Sequence, residues 1–117
     1  MPKLERLAWT TAAWEDYLYW QSQDRRQLRR INQLIQACLR DPFAGIGKPE
    51  PLRENLAGCW SRRIDEEHRL AYRLDGELLV ILACPNGLIK TRSRIRLLMS
   101  LANAAPEWQA RSLGWRS

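Results

Sequence analysis

The stretch from His68 to Cys84 reads HRLAYRLDGELLVILAC and predicts a β-hairpin. Two apolar runs flank the dipeptide Asp75-Gly76. This dipeptide is a strong hairpin signal, because both of its residues tolerate the positive φ angles of a tight turn. We therefore expect strands over residues 68–74 and 77–84. A third strand, over residues 59–64, precedes them.

Side chains alternate between the two faces of a strand, so the hairpin also predicts on which face of the sheet each side chain lies. One face receives His68, Leu70 and Tyr72, together with Trp60, Arg62 and Ile64 from the preceding strand. Arg69, Ser61 and Arg63 fall on the other face. We expect helices to cover the apolar face, which directs the single histidine toward the helices and away from Arg69.

The segment before the hairpin predicts a strand and two helices. Residues 4–9 are expected to form the strand, and the first helix then begins at the hydroxyl cap Thr10-Thr11 and ends near Gln21-Ser22. Asp24 with Gln27 is typical of a capping box, and helical spacing of apolar residues continues until Asp41-Pro42. Residues 43–51 are expected to form an irregular crossing segment, without regular secondary structure, that leads toward the third strand. Four tryptophans are interpreted as core residues: Trp9, Trp14, Trp20 and Trp60.

Length and composition favour one small domain followed by a tail. The chain has 117 residues, which supports one packed core. Residues 1–84 carry 13 basic and 12 acidic groups, whereas residues 85–117 carry 6 and 1, so the net charge of +6 comes mostly from the tail. A general nucleic-acid-binding module is accordingly the less favoured class. We assign a domain to residues 1–84 and a basic extension to residues 85–117.

Other protein classes are disfavoured by what the sequence lacks. Its longest apolar run, residues 78–84, is far shorter than the roughly 20 residues of a membrane span. No apolar stretch follows the first charges, so we expect no secretory signal, no membrane association and a cytoplasmic location. The three cysteines lack the paired spacing of a zinc site and are expected to be buried thiols.

The chemistry-bearing segment is Gly47-Lys48-Pro49-Glu50-Pro51-Leu52, which sets one carboxylate beside basic residues. A carboxylate can take a proton from an RNA 2′-hydroxyl, and guanidinium groups can hold a phosphate and its developing charge. The set suits RNA cleavage without a metal or cofactor. Taken alone, Glu50 is also compatible with an ordinary surface carboxylate.

These residues, with others over about two-thirds of the chain, resemble the YoeB/Txe family of bacterial toxins in the RelE-like superfamily. The resemblance rests on four segments: Leu7 to Trp9, Trp14 to Gln21, Ile31 to Ile35, and Asp41 to Leu52 followed by residues up to Cys84. It implies an α+β fold in which two N-terminal helices pack on one face of a twisted, mainly antiparallel sheet. It also implies cleavage of mRNA on the ribosome, a YefM-like antitoxin as partner, and often a toxin homodimer.

Carried over by position, the resemblance places the general base at Glu50 and the phosphate-stabilising arginine at Arg69. Supporting basic positions fall on Lys48, Arg53 and Arg63. Arg62 is interpreted as structural. For Arg69 an alternative remains, a structural ion pair with a glutamate of the adjoining sequence, Glu66 or Glu67.

The chain departs from the family after Cys84. Family members end a few residues later, with a histidine that serves as general acid, whereas this chain has Gly87 at that position and continues for 33 residues beyond Cys84. The tail has apolar residues for one short helix before Pro106; alternatively it is a disordered product of a frameshift. Two functions therefore stand: a ribosome-associated endoribonuclease, or a catalytically impaired homologue that binds antitoxin or ribosome.

Overall fold

The structure, a computed structural model, describes residues 4–52 and 58–86. Its elements in chain order are β1 (Arg6–Trp9), α1 (Thr11–Gln23), α2 (Arg25–Arg40), β2 (Glu50–Pro51), β3 (Cys59–Arg63), β4 (Arg69–Asp75) and β5 (Leu78–Ala83). The predicted boundaries agree with these to within one or two residues. The extension predicted for residues 85–117 lies outside the described residues, except for its first two.

The five strands form one sheet in the order β1-β5-β4-β3-β2. Only the β1–β5 pair is parallel; the other pairs are antiparallel. The predicted hairpin is β4–β5, and Gly76 in its turn has a φ of 62°. Strand β2 corrects the prediction for residues 43–51, because Glu50 and Pro51 pair with Ser61 and Trp60 instead of crossing irregularly.

Helices α1 and α2 begin at the two predicted caps. The Thr10 side chain accepts a hydrogen bond from the Ala13 backbone, and the Asp24 side chain accepts from the backbones of Arg26 and Gln27. The second cap differs from a capping box, because the Gln27 side chain donates to Asp65 in the β3–β4 connection instead of returning to residue 24. The cap thus ties α2 to the sheet.

Both helices pack on the same face of the sheet, as predicted. Ile31, Leu34 and Cys38 of α2 are fully buried against Leu70 and Tyr72 of β4. A smaller apolar cluster occupies the opposite face and comprises Leu52, Cys59, Ala71, Val80 and Leu82. The fold class is therefore the predicted α+β arrangement, with α1 and α2 together on one face of the sheet.

The tryptophans follow the prediction with one exception. Trp20 is buried and donates its indole N–H to the Cys84 carbonyl, and Trp9 and Trp60 pack at the edge of the main core. Trp14 is 45% exposed, so its interpretation as a core residue was wrong. Its ring stacks on Tyr17 at the surface of α1, where helical periodicity alone does not distinguish a buried face from an exposed aromatic pair. Within the described residues, neither helix has the length and apolar character needed to cross a membrane.

Candidate active site

The loop between α2 and β2 is held in place by Arg62. This side chain is fully buried on the helix-facing side of β3. Its Nη2 donates to the carbonyls of Asp41 and Ala44, at 2.6 and 2.9 Å, and its Nη1 donates to that of Ile46, at 2.9 Å. Nε donates to the Tyr72 hydroxyl, which itself donates to a carbonyl of the same loop. The structural role predicted for Arg62 agrees with these contacts.

Gly47 and Lys48 turn the loop into β2. Both have positive φ angles, 83° and 50°, which glycine adopts freely and lysine rarely. A Cβ on Gly47 would lie 2.6 Å from Leu34 Cδ2, so the close approach of loop and helix also requires glycine. The Gly47 carbonyl accepts from the Arg63 backbone at 2.7 Å. The strained backbone of Lys48 lies two residues before Glu50.

Glu50 and Arg69 meet on the face of the sheet opposite α1 and α2, which we call the open face because neither of these two helices covers it. Arg69 Nη1 lies 2.7 Å from Glu50 Oε1 and 3.3 Å from Ser61 Oγ. The side chains of Arg69 and Glu50 remain 31% and 51% exposed, so solvent and ligands reach both. Among the described residues, the Nε and Nη2 atoms of Arg69 have no hydrogen-bond partner. This guanidinium can therefore contact an anion through one edge while it holds Glu50 through the other.

Sheet register brings a second arginine to the same place. Arg63 lies directly opposite Arg69 in the β3–β4 ladder, and its side chain is exposed. Like charges in directly opposed positions are destabilising, and a neighbouring negative charge offsets the repulsion. The Glu50 carboxylate, 2.7 Å from Arg69 Nη1, is one such charge.

The sequence-predicted site residues thus fall into three groups. Glu50, Arg69 and Arg63 are brought together, and Lys48 is exposed two residues before Glu50. Arg53 lies outside the described residues. The predicted alternative for Arg69 was wrong, because its ion-pair partner is Glu50 and not Glu66 or Glu67.

Ser61 was missed by the sequence reasoning as a member of the site. Alternation had placed it on the same face as Arg63, but a small hydroxyl residue within a strand gives no further signal. Here it is buried and its Oγ accepts from Arg69. The contact limits the positions open to the guanidinium.

His68 is held away from this site, as predicted. Its ring makes an edge contact with Trp20 on the helix side, and its Nδ1 lies 2.9 Å from Asp65 Oδ2. Burial raises the pKa of Asp65, but hydrogen bonds from the His68 side chain and backbone, the Glu67 backbone and Gln27 outweigh it and lower the pKa to about 2. The histidine therefore belongs to a structural cluster.

The three cysteines are buried, as predicted. Burial raises the pKa of Cys38 to about 11 and also raises that of Cys59, which keeps both as thiols at neutral pH. In residues 4–52 and 58–86, no group of three or more His, Cys, Asp or Glu side chains is arranged to hold a metal ion. Among the described residues beside Arg69, the groups available for chemistry are the Glu50 carboxylate and the basic side chains of the site.

Comparison with known proteins decides the family. Residues 9–86 match the family model described as YoeB-like toxin of bacterial type II toxin-antitoxin system. The chain belongs to this family. Toxin YoeB of Escherichia coli (strain K12) is 54% identical over 79 residues, which cover 68% of this chain and 94% of that protein.

Two solved structures from Staphylococcus aureus extend the comparison to assembly. The YoeB dimer has a TM-score of 0.66 at 40% identity, covering 70% of this chain and 95% of the other. The heterotetrameric YoeB-YefM toxin-antitoxin complex has a TM-score of 0.65 at 40% identity, covering 72% of this chain and 97% of the other. The protein is thus a YoeB-like toxin of a type II toxin-antitoxin module.

Proposed function

We propose that this YoeB-like toxin is a ribosome-associated endoribonuclease that cleaves mRNA by metal-independent general acid–base chemistry. The observation that carries the proposal is the contact between Arg69 and Glu50, 2.7 Å long, on an open face of the sheet. In RNA, the nucleophilic 2′-hydroxyl lies beside the phosphate that it attacks. A base and a phosphate-binding cation must therefore be neighbours, as these two side chains are.

Glu50 has the role of general base. Its carboxylate takes the proton of the 2′-hydroxyl, whose oxygen then attacks the adjacent phosphorus and forms a cyclic phosphate as the bond to the 5′-oxygen breaks. The backbone pairing of Glu50 with Ser61 and the strained turn at Lys48 fix the position of the carboxylate. Such positioning is what makes a general base effective.

Arg69 stabilises the negative charge that grows on the phosphate oxygens. Its Nη1 stays with Glu50 while Nε and Nη2, which have no partner among the described residues, donate to phosphate oxygens in a fork geometry. Arg63 and Lys48 add positive charge around the same phosphate, and Arg53 is proposed to do so by family position. Charge stabilisation aimed at the transition state is usually the largest single term in catalysis.

A general acid for the 5′-oxygen is the component that the family resemblance does not supply. Gly87 stands where the family has its histidine, and His68 is engaged with Asp65 on the other face. Loss of a general acid typically costs about 10² to 10⁴ in rate. This departure favours the second candidate function, an impaired toxin homologue that still binds antitoxin or ribosome.

The proposed partners are a YefM-like antitoxin, mRNA on the ribosome and a second copy of the toxin, and the proposed location is the cytoplasm. Support for the antitoxin and for the homodimer comes from the assemblies of the S. aureus proteins, which cover 72% and 70% of this chain. We expect a YefM-like antitoxin to bind at micromolar concentrations even if cleavage is weak. Absence of a complex in a titration would remove this partner.

The decisive experiment compares the natural chain with Glu50→Gln, which keeps the side-chain volume but removes the base. Each is expressed with and without the antitoxin gene, and the 5′ ends of cellular mRNA are mapped. We expect unchanged circular dichroism and cleavage lower by at least about 10² in Glu50→Gln. Glu66→Gln, an exposed glutamate outside the site, is the matched control and should cleave normally. Equal cleavage by all three proteins would exclude Glu50 from the mechanism.

Arg69→Ala separates catalysis from structure. It should lower cleavage more than Arg62→Ala does at equal amounts of folded protein, because Arg69 faces the RNA and Arg62 faces the core. Thermal melts accompany the cleavage assays. If Arg69→Ala mainly lowers the melting temperature and spares cleavage, its pair with Glu50 is structural.

A further inference from the structure

Arg73 is a further cation on the open face that the site described above does not use. It lies on β4 four residues after Arg69, so the two side chains project from the same face of the strand. Strand β4 lies third in the five-strand order, and Arg73 pairs with Cys59 on one side and Val80 on the other. Arg73 therefore lies beside the smaller apolar cluster, on the face of the sheet opposite α1 and α2.

Arg73 differs in its hydrogen bonding from Arg62, to which we assign a structural role. Its Nε is buried and has no hydrogen-bond partner among the described residues. Within residues 4–52 and 58–86, no carboxylate forms a salt bridge with it. Arg62, one strand away and on the opposite face, satisfies its donors with carbonyl oxygens. Buried polar groups are normally paired, so an unpaired one requires an explanation.

The surroundings of Arg73 explain how the charge is held without a protein partner. Arg73 is half-buried, and its register partners Cys59 and Val80 belong to the smaller apolar cluster. Burial raises the pKa of the Cys59 thiol, and the positive charge of Arg73, its partner in the β3–β4 ladder, acts against this. Because Nε is buried, the guanidinium can meet an external anion only through its Nη atoms, which have no hydrogen-bond partner among the described residues.

The distance between Arg73 and Arg69 indicates which kind of anion Arg73 binds. Four residues along a strand span about 13 Å. This is the reach of a short stretch of nucleotides and exceeds the size of one phosphate group. We propose that Arg73 binds a backbone phosphate of the RNA strand away from the scissile phosphate, and so contributes to substrate affinity without taking part in the chemical step. This inference rests on the proposed function, since it uses the same face of the sheet for the same RNA.

The test measures binding separately from cleavage. The probe is a fluorescent single-stranded octamer of 2′-O-methyl RNA, which has the phosphates but no 2′-hydroxyl to attack, and anisotropy is recorded over a series of salt concentrations. One phosphate contact on a single strand contributes about 0.7 to the slope of log Kd against log salt. Arg73→Ala should lower that slope by about 0.7 and weaken binding about fivefold at 0.1 M salt. Arg73→Lys should keep most of the slope because it keeps the charge.

Arg29→Ala is the matched control, because Arg29 is exposed on α2 in the helical layer. It should change neither the slope nor the affinity. On ribosomes, Arg73→Ala should raise KM and leave kcat within about twofold, whereas Glu50→Gln lowers kcat.

The outcomes separate this inference from the proposed function. Two outcomes would each overturn it: unchanged binding in Arg73→Ala, whether or not its melting temperature falls, and no measurable binding by the natural chain at low salt. If the proposed nuclease function is wrong, the natural chain will cleave RNA no faster than Glu50→Gln does. The binding measurements would still decide the role of Arg73.

Discussion

Replacing either of two neighbouring arginines of β3 with methionine should affect the free energy of unfolding very differently. Arg62→Met keeps most of the aliphatic volume but removes four donated hydrogen bonds, three of them to loop carbonyls at 2.6 to 2.9 Å. Removing one partner from a buried charged network typically costs about 3 to 5 kcal/mol, because the remaining polar groups lose their partners. Against a total stability of about 5 to 15 kcal/mol this is a large fraction. The melting temperature should fall by at least about 12 °C.

Arg63→Met is the matched control, since Arg63 is exposed on the other face. Its free energy of unfolding should stay within about 0.5 kcal/mol of the natural value. The assay is urea unfolding of the full chain, followed by tryptophan fluorescence and by circular dichroism to test for a single transition. A loss below about 1 kcal/mol in Arg62→Met, or an equal loss in the two variants, would refute the conclusion that Arg62 secures the loop.

Two further predictions concern pH and the chain end. Asp65 has a folded pKa of about 2 against an ordinary value of 3.8, so its stabilising contribution is complete above about pH 4 and is lost as the pH falls through 2. The difference in unfolding free energy between the natural chain and Asp65→Asn should therefore be constant above pH 4 and shrink below it; a difference that persists at pH 2 would contradict this assignment. Replacing everything after Cys84 with Arg-Tyr-His-Tyr, the family's type of ending, should raise ribosome-dependent cleavage by about 10² or more. Truncation after Cys84 is the control: a rise in both forms would mean that the tail obstructs the RNA, and no rise in either would refute the idea that Gly87 marks a lost acid.

The sheet and its two faces were predictable because their signals are local. Asp75-Gly76 fixes the hairpin, and period-two alternation then assigns Arg69 to the open face and His68 to the helices, both as observed. Neither assignment needs knowledge of distant parts of the chain. The same rule, extended from Arg69 to Arg73, also predicts that the two share a face.

The parts that escaped prediction depend on contacts between distant segments. Strand β2 has only two residues and exists because Glu50 and Pro51 meet β3, which no propensity indicates. The Gln27 side chain leaves its own helix cap for Asp65, 38 residues away. The partner of Arg69 is Glu50, 19 residues earlier, and not one of the nearby glutamates, because the loop fixed by Arg62 delivers Glu50 to the strand. The identity of the site residues came from the family resemblance, and their geometry came from the fold.

The parallel pairing of β1 with β5 has a consequence for the synthesis of this toxin. Strand β5 lies between β1 and β4, and Thr10 at the end of β1 bonds to Ile81 and Leu82. A nascent chain that has not yet exposed β5 leaves β1 without a neighbour and deprives the helices of Leu79 and Ile81 beneath them. Contacts this distant in sequence form late and slow folding. We expect prematurely terminated chains that lack β5 to be unfolded substrates for proteases, so that toxicity arises only from nearly complete translation of the domain.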